Sequence, residues 1–307
     1  MENRPSILVV GGTGQIGHEL VRELAGLGPV IAPPRHDLDL LDAASTRDML
    51  RRTMPTIVVN AAGFTAVDAA ESERELAAAI NADAPALLAT ECTRLGAALV
   101  HFSSDYIFDG AKRSPYVETD PRGPLNVYGE TKLAGEHGVA AAGGMHLILR
   151  TSWIYGPRGR NFVSTMLRLA REREELSVVD DQVGAPTSAA AVAKAVTEIL
   201  RSLVGAADFV DAFEAASGVY HMSAAGSTTW YDFARTILAD DPASNEQVCR
   251  VIKPVKSTKY VTAAQRPAYS VLDNSKLAEE FGVRLSPWTE QWCAVAEQLR
   301  VNARRAS

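Results

Sequence analysis

Short apolar runs alternate with helical patterns through the first half of the chain. Runs rich in Val and Ile predict strands at residues 7–10, 30–32, 57–60, 98–102 and 147–150. Apolar residues at helical spacing predict helices at residues 14–27, 43–52, 69–95 and 126–141. Strands that are apolar throughout, with helices between them, are typical of a parallel sheet covered on both faces. The pattern therefore predicts an α/β fold with a doubly wound, Rossmann-like parallel sheet.

The regularity of this pattern falls after about Thr151. Helices are predicted at residues 162–173, 189–203, 230–239 and 288–299, whereas residues 204–217 have no firm period and are predicted as an insertion or loop. We therefore expect a dinucleotide-binding domain at residues 1–150. Residues 151–307 are expected to form mainly a smaller C-terminal α/β substrate lobe, with part of the chain returning to the first domain.

Composition and charge narrow the class of protein. The chain has 307 residues, of which 47% are hydrophobic, which is enough for a large core. A net charge of -6 gives no basic surface for nucleic acid, so an anionic substrate must be met by local cations. No apolar stretch is long enough to span a bilayer, and residues 1–10 lack the pattern of a signal peptide. We therefore expect a cytoplasmic protein.

The chain has three cysteines, Cys92, Cys249 and Cys293. Their number is odd, and their positions show neither disulfide pairing nor the spacing of metal ligands. Each lies in a stretch with the pattern of a helix or strand interior. We therefore expect three reduced, buried thiols.

A glycine-rich turn follows the first predicted strand directly. Gly11, Gly14 and Gly17 are spaced G-x-x-G-x-x-G, and Gln15 and Ile16 lie at the start of the amphipathic helix that follows. Glycines at such a turn let a pyrophosphate approach the backbone, and the free N–H groups of the helix N-terminus attract it. The turn is therefore predicted to bind a dinucleotide.

Arg35 lies just after the second predicted strand. A guanidinium there suits the 2'-phosphate of NADPH better than the ribose of NADH, although Arg35 is alternatively an exposed loop cation. NADH therefore stays open as the cofactor. Further cofactor contacts are expected beside the adenine and against the small residues after the third strand, at Asp39, Leu40, Ala61, Ala62 and Gly63.

Tyr128 and Lys132 are four residues apart on a predicted helix, so their side chains share one face. A neighbouring ammonium is expected to lower the pKa of the phenol towards the range in which it transfers protons. Ser104 follows the fourth strand and presents a hydroxyl at the carboxyl end of the sheet. The three groups suit acid–base chemistry on a sugar or alcohol. Taken alone, a Tyr-Lys pair also occurs on solvated helices without any catalytic role.

With these motifs together, the sequence resembles the extended short-chain dehydrogenase/reductase superfamily, and more closely the dTDP-4-dehydrorhamnose reductases. The resemblance rests on strings that occur in the same order through nearly the whole chain: VNAA (59–62), TAVDAAE (65–71), SDYIFDG (104–110), PLNVYGETKLAGE (124–136), RTSWIY (150–155), DQVGAPT (181–187) and RP (266–267). Position 104 is commonly Thr in that family. Ser keeps the hydroxyl and loses a methyl, so we expect its role to survive.

The resemblance implies that NAD(P)H reduces the C4 ketone of dTDP-4-dehydro-L-rhamnose to give dTDP-L-rhamnose. This is the last step in making activated rhamnose for cell-surface polysaccharide. Tyr128 is then the proton donor, Lys132 lowers the pKa of the phenol and binds the nicotinamide ribose, and Ser104 holds the carbonyl oxygen. The resemblance also implies contacts to the sugar nucleotide from Thr65, Val67, Asp105, Tyr106, Trp153, Gln182 and Arg266. Trp153 is alternatively a core residue, and Arg266 alternatively forms a surface ion pair within the C-terminal lobe.

Several other functions stay open. A 4,6-dehydratase is disfavoured because Asp105 is followed by Tyr106 and not by Glu. A reductase or epimerase of another nucleotide-linked 4-ketosugar remains an alternative. So does a non-catalytic subunit resembling the regulatory subunit of methionine adenosyltransferase, although the intact Ser-Tyr-Lys set argues against it. Some relatives hold Mg²⁺ at a dimer contact through glutamates, but no acidic cluster assigns a metal site here. The sequence leaves open whether the chain is a homodimer.

Overall fold

The structure is a computed structural model that describes residues 4–306, with side chains to residue 304. The expected absence of a signal peptide depends partly on residues 1–3, which lie outside the described residues. The strands are β1 (Ile7–Val10), β2 (Val30–Ile31), β3 (Ile57–Asn60), β4 (Ala98–Ser104), β5 (His146–Thr151), β6 (Ile154–Tyr155), β7 (Glu175–Val179), β8 (Val183–Gly184), β9 (Thr187–Ser188), β10 (Gly218–His221), β11 (Thr228–Thr229) and β12 (Val251–Val255).

The helices connect these strands and cover the sheet. They are α1 (Gln15–Leu24), α2 (Ala43–Thr53), α3 (Val67–Ala70), α4 (Arg74–Ala78), α5 (Ala84–Leu95), α6 (Val127–Ala141), α7 (Phe162–Glu172), α8 (Ala189–Val204), α9 (Phe209–Ala215), α10 (Trp230–Ala239), α11 (Ser275–Phe281) and α12 (Trp288–Ala306). A π-helical turn at Ala79–Asp83 links α4 to α5.

The main sheet has six parallel strands in the order β10-β5-β4-β3-β1-β2. Ile7 of β1 lies opposite Ile57 of β3 on one side and opposite Val30 of β2 on the other. The strand order reverses between β1 and β3, which is where doubly wound sheets bind their ligands. The predicted fold class is confirmed.

Alternate residues of the strands contact two separate apolar cores. Ile7 and Val9 pack on one face of the sheet with residues of α1 and α8, whereas Leu8 and Val10 pack on the other face with residues of α2 and α5. Because both faces are covered, the strands are apolar throughout and show no polar alternation.

The second lobe has its own apolar core. Tyr155, Val163, Phe233 and Trp292 are buried together, and they bring α7, α10 and α12 against short two-stranded ladders. Helix α8 and strand β10 instead belong to the large sheet, because β10 pairs with β5 and α8 packs on α1. The chain thus returns from the second lobe to complete the edge of the first.

Three details differ from the sequence expectations. Residues 69–95 do not form one helix, since the chain breaks after α3 and again passes through the π-helical turn before Pro85. Residues 204–217 were expected to be a loop, but they contain α9, whose first turn is capped by Asp208. Only Cys92 is buried, whereas Cys249 is half-buried and Cys293 is exposed. In the described part of the chain, no helix is long and apolar enough to cross a bilayer.

Candidate active site

The glycine turn brings the ends of β1 and β3 into close backbone contact. Gly11 has φ +79°, and a Cβ there would lie 2.7 Å from the amide nitrogen of Ala62. A Cβ on Gly17 would lie 2.1 Å from the carbonyl oxygen of Gly11. The turn and the start of α1 therefore require glycine at both positions. Gly14 precedes the helix as its N-cap, so the free amides of α1 face the carboxyl edge of the sheet.

A cleft of about 190 Å³ opens beside this turn. Many of the predicted cofactor residues line it, namely Gly11, Arg35, Asp39, Leu40, Ala62 and Gly63. The Arg35 guanidinium lies 3.9 Å from the Asp39 carboxylate and is largely exposed. The sequence predictions missed other residues that line the cleft, among them Thr13, Pro33, Leu38, Leu41 and Ile80.

Seven predicted cofactor residues lie outside the lining of this cleft: Gly14, Gln15, Ile16, Gly17, Ala61, Tyr128 and Lys132. Gly14 and Gln15 are at the start of α1, while Ile16 and Ala61 pack against the apolar core. The Gln15 side chain accepts a hydrogen bond from Nδ2 of Asn161 at 2.8 Å, which ties α1 to the second lobe. Asn161 also donates to the carbonyl oxygen of Gly156 at 2.9 Å.

The N-terminus of α6 is held from three directions, and this fixes Tyr128 in its first turn. Asn126 caps the helix by accepting from the amide of Gly129 at 2.8 Å, and its Nδ2 donates to the carbonyl oxygen of Gln265 at 2.7 Å. The amide of Val127 donates to Glu71 at 2.9 Å. A Cβ on Gly129 would lie 2.2 Å from the carbonyl oxygen of Tyr106, so the helix approaches the segment after β4 very closely.

The Ser104 hydroxyl lies close enough to Tyr128 to influence the pKa of its phenol. Burial raises the pKa of Tyr128 to about 12, the Ser104 hydroxyl acts to lower it, and the negative charge of Asp105 acts to raise it. The expected lowering of the phenol pKa is therefore wrong for this structure, because loss of solvent around the ring dominates. The phenol stays protonated at neutral pH, which suits a proton donor.

The Nζ of Lys132 donates a hydrogen bond to the carbonyl oxygen of Phe102, in β4, at 2.6 Å. Burial lowers the pKa of Lys132 to about 8, and the nearby carboxylate of Glu136 raises it. Lys132 is 5% exposed, so its ammonium has little contact with bulk water. Helix α6 thus places Tyr128, Lys132 and Glu136 on one face at successive turns.

Asn81 lies in the π-helical turn and connects the end of β3 to α6. Its Oδ1 accepts from the amide of Phe64 at 2.9 Å, and its Nδ2 donates to the carbonyl oxygen of Phe64 at 3.0 Å and to the hydroxyl of Thr131 at 3.2 Å. A π-helical turn shifts the side chains that follow it relative to a regular helix, and such turns are frequent at functional sites. Asn81 therefore fixes the position of the segment that contains Gly63 and Thr65.

The residues expected to contact substrate occupy different environments. Thr65 is exposed, Val67 is half-buried at the start of α3, and Gln182 is buried. Trp153 adopts a left-handed backbone conformation with φ +46°, and its ring stacks on Trp230 with centroids 3.4 Å apart. Non-glycine residues in this region are strained and cluster at functional sites. One face of the Trp153 ring is thus covered by Trp230, which the sequence did not predict.

Arg266 forms a bidentate ion pair with Asp68. Nη1 and Nη2 of Arg266 donate to Oδ1 and Oδ2 of Asp68 at 3.1 and 2.6 Å, and the guanidinium lowers the pKa of Asp68. The alternative of a surface ion pair is therefore found, but not within the C-terminal lobe, because Asp68 belongs to α3 of the first domain. The charge of Arg266 also acts on the phenol of Tyr106 and lowers its pKa, and the Tyr106 ring meets the Tyr128 ring edge to face.

Asp105 has a position that sequence reasoning did not anticipate. It is 2% exposed, and its carboxyl group accepts hydrogen bonds from Ser104 at 3.1 Å and Ser152 at 3.0 Å. Ser152 follows directly after β5, and this position at the end of a parallel strand could have identified it as a residue of the site. Ser270 is also close enough to lower the pKa of this carboxyl group, and its sequence neighbourhood gave no signal. Among the side chains that the structure describes, no three His, Cys, Asp or Glu residues are arranged to hold a metal ion.

Comparison with known proteins decides the family. Residues 5–301 match the family model described as the RmlD substrate binding domain. The chain belongs to the RmlD family. A family relative from Burkholderia thailandensis, named dTDP-4-dehydrorhamnose reductase, is 46% identical over 289 residues, which cover 92% of this chain and 95% of the relative.

Solved structures of the RmlD family have the same architecture. The crystal structure of a dTDP-4-dehydrorhamnose reductase from Clostridium acetobutylicum superposes with a TM-score of 0.87 at 35% identity, covering 96% of this chain and 99% of that one. The enzyme of the same name from Bacillus anthracis, solved in complex with NADP, gives a TM-score of 0.84 at 32% identity, with 97% and 99% covered. The resemblance inferred from the motifs is thereby confirmed for the RmlD family.

Proposed function

We propose that this protein reduces the C4 ketone of dTDP-4-dehydro-L-rhamnose to dTDP-L-rhamnose with NADPH as the reductant. The observation that carries this proposal is the position of Ser104 at the carboxyl end of β4, beside Tyr128 of α6, with Lys132 one helical turn further along that helix. Relatives that bear the name of this activity, together with the family match, support the substrate class. The proposed cytoplasmic location follows from the sequence alone, which leaves the oligomeric state open.

The glycine turn and its cleft fit a dinucleotide. The Cβ positions of Gly11 and Gly17 are filled by backbone atoms, which leaves a surface of amides and small residues at the helix N-terminus. NADPH supplies the hydride when it is bound there. Arg35, largely exposed at the edge of the cleft, is the side chain proposed to pair with the 2'-phosphate in place of Asp39. The structure of a family member with NADP supports NADPH over NADH.

The residues of the site divide the work of reducing a ketone. Tyr128 keeps its proton at neutral pH and donates it to the oxygen that becomes the alcohol. Ser104 donates a second hydrogen bond to the same oxygen. Lys132, held by the carbonyl oxygen of Phe102, places a positive charge beside the phenolate that forms when Tyr128 loses its proton. That charge favours proton donation by Tyr128.

Arg266 and Trp153 are proposed to hold the sugar nucleotide. A diphosphate carries more negative charge than the half-exposed carboxylate of Asp68, and a guanidinium fork fits its oxygens equally well. We therefore propose that Arg266 contacts the diphosphate. Thr65, Val67, Tyr106 and Gln182 are also proposed to contact the sugar nucleotide.

A coupled assay tests the proposed function. dTDP-glucose is incubated with a 4,6-dehydratase and with or without a 3,5-epimerase, and NADPH consumption is followed at 340 nm after this protein is added. We expect consumption only when the epimerase is present. Consumption without the epimerase would assign the protein to another 4-ketosugar, and no consumption in either arm would reject the reductase.

Tyr128→Phe serves as the matched variant in this assay. It removes the hydroxyl and keeps the ring that meets Tyr106, so the protein should fold and bind NADPH with unchanged affinity while turnover falls about 100-fold or more. A non-catalytic subunit would bind NADPH and show no turnover in either form. An epimerase would retain nicotinamide through purification and would not consume NADPH.

A further inference from the structure

The carboxyl group of Asp105 is buried next to Ser104, and its hydrogen-bond partners are neutral hydroxyl groups. Ser104 donates to its Oδ1, and Ser152 donates to its Oδ2. Burial raises the pKa of Asp105 to about 6, and hydrogen bonds from Ser270, Ser152 and Ser104 lower it. A carboxyl group in such surroundings can exist in either protonation state close to neutral pH.

The other titratable groups that face Asp105 are phenols. Tyr106 follows it in the chain, and Tyr128 approaches from α6, so the charge of Asp105 raises the pKa of both. The charge of Arg266 lowers the pKa of Tyr106, but Arg266 is already paired with Asp68. The protonation state of Asp105 is therefore felt most directly by its hydroxyl partners and by the two phenols.

The Ser104 hydroxyl has one proton and several partners. Its Oγ accepts from the amide of Tyr106 at 3.1 Å and donates to Oδ1 of Asp105 at 3.1 Å. A hydroxyl donates once and accepts twice, and an ionised carboxylate only accepts. When Asp105 is ionised, the Ser104 proton must point to Asp105. The Ser104 proton is then not directed at a ketone.

A protonated Asp105 reverses this arrangement. Its carboxylic acid O–H donates to Oγ of Ser104, and the Ser104 proton becomes free for Tyr128 or for a ketone oxygen. We propose that Asp105 is a positioning residue whose protonated form turns the Ser104 hydroxyl towards the reacting oxygen and whose ionised form turns it away. This inference rests on the proposed reductase function, since it concerns the same proton donor.

Direct binding of the sugar by Asp105 is the competing role. Both carboxyl oxygens already have hydroxyl partners, and the side chain is 2% exposed. A direct ligand would have to exchange these partners for sugar hydroxyls. The two roles differ in the expected effect of Asp105→Asn. The amide that this substitution introduces can donate to Ser104 at every pH, whereas it would lack the charge that a direct carboxylate ligand brings.

The pH dependence of kcat/KM tests the proposal, with NADPH consumption measured as initial rates between pH 5 and 9. In the native protein we expect kcat/KM to fall as the pH rises through about 6, where Asp105 loses its proton, and to fall again near pH 8, where Lys132 does. Each ionisation should cost about tenfold per pH unit above its pKa. Asp105→Asn should lose the first fall and keep the second.

A second variant moves the first fall without touching Asp105. Ser152→Ala removes a hydrogen bond that lowers the pKa of Asp105, so the fall should shift to higher pH. Ser103→Ala is the matched control, because the buried Ser103 hydroxyl on β4 has no hydrogen-bond partner within the described residues. Its profile should coincide with that of the native protein.

Three results would overturn the proposal. One is a first fall that persists in Asp105→Asn, and another is a Ser152→Ala profile that does not differ from that of Ser103→Ala. The third is an Asp105→Asn protein that folds and binds NADPH but is inactive at every pH, which would assign direct substrate contact. A native protein without any turnover would reject the reductase function together with this inference, whereas an active protein with unmoved profiles rejects only the inference.

Discussion

Glu136 and Arg150 form a bidentate ion pair inside the protein. Nε and Nη2 of Arg150 donate to Oε1 and Oε2 of Glu136, both at 2.8 Å, and the side chains of Arg150 and Glu136 are 0% and 4% exposed. Glu136 lies one turn after Lys132 on α6, while Arg150 belongs to β5. Arg150 also donates to the carbonyl oxygen of Glu118 at 3.2 Å. The pair therefore fastens α6, which carries Tyr128 and Lys132, to the sheet.

Breaking this pair from one side should destabilise the protein strongly. Glu136→Gln leaves the Arg150 guanidinium buried without a counter-charge, which costs about 3–5 kcal/mol of unfolding free energy. Urea denaturation measures the loss. Glu130→Gln on the exposed face of the same helix is the control, and its ion pair with Arg74 should be worth about 1 kcal/mol or less.

The double variant Glu136→Leu with Arg150→Met should recover most of the lost stability, because no buried charge then remains unpaired. A Glu136→Gln protein as stable as Glu130→Gln would contradict the argument. So would a double variant less stable than Glu136→Gln, since that would assign the loss to packing and not to the charge.

The protein should lose activity at alkaline pH, because Lys132 loses its proton there. The charged ammonium is the form that supports Tyr128, and burial lowers its pKa to about 8. Activity should therefore decline as the pH rises through this value. Lys132→Met should reduce kcat about 100-fold or more at pH 7. Steady-state rates between pH 6.5 and 9.5, with NADPH binding measured separately by fluorescence, check both expectations.

Glu136 and Lys132 should be linked in this profile. The Glu136 carboxylate raises the pKa of Lys132, so Glu136→Gln should move the alkaline decline to lower pH. Glu130→Gln again serves as the control, because its side chain lies at the exposed surface. An alkaline decline at the same pH in all three proteins would mean that another group titrates there.

Local spacing was enough to predict much of this site. Tyr128 and Lys132 are separated by one helical turn, and Ser104 ends a strand, so the sequence placed all three at the carboxyl edge of the sheet. Glu136 was within reach of the same reasoning, since it lies four residues beyond Lys132. The glycine turn was equally local, because a strand, three glycines and a helix follow one another in the chain.

The remaining features depend on contacts between distant residues. Strand β10 joins the sheet 67 residues after β5 ends, and nothing near Gly218 indicates its partner. The contact of Trp153 with Trp230 and the ion pair of Arg266 with Asp68 were not predicted either, because the two residues of each pair are also far apart in the chain. The direction of the Tyr128 pKa shift was wrong in the sequence reasoning because it depends on burial, which spacing does not contain.

Arg35 should determine the choice between NADPH and NADH. Arg35→Ala removes the guanidinium proposed to pair with the 2'-phosphate, so KM for NADPH should rise about tenfold or more, which corresponds to one charge-assisted hydrogen bond. KM for NADH should change little. Arg51→Ala, an exposed arginine in the last turn of α2, is the control. An unchanged ratio of the two KM values would remove Arg35 from the cofactor site.

Gly17 should tolerate no side chain, because its Cβ position is already filled by backbone. An alanine Cβ would lie 2.1 Å from the carbonyl oxygen of Gly11 and 2.8 Å from its carbonyl carbon. Neither atom can turn aside as a flexible side chain can, so the turn between β1 and α1 must open. Overpacking of this kind costs about 1–3 kcal/mol or more. NADPH affinity should fall with it, since the amides that face the cofactor belong to the same turn.

Gly26→Ala is the matched control for Gly17→Ala. Gly26 follows the same helix, but a Cβ there would lie 3.7 Å from its nearest neighbour, the carbonyl oxygen of Glu23, which is an ordinary contact. Its stability should match or slightly exceed that of the native protein, because alanine restricts the unfolded chain more than glycine does. Fluorescence titration with NADPH and urea denaturation are run on both variants. Equal NADPH affinities in the two would show that the closeness of Gly17 to Gly11 does not shape the cofactor site.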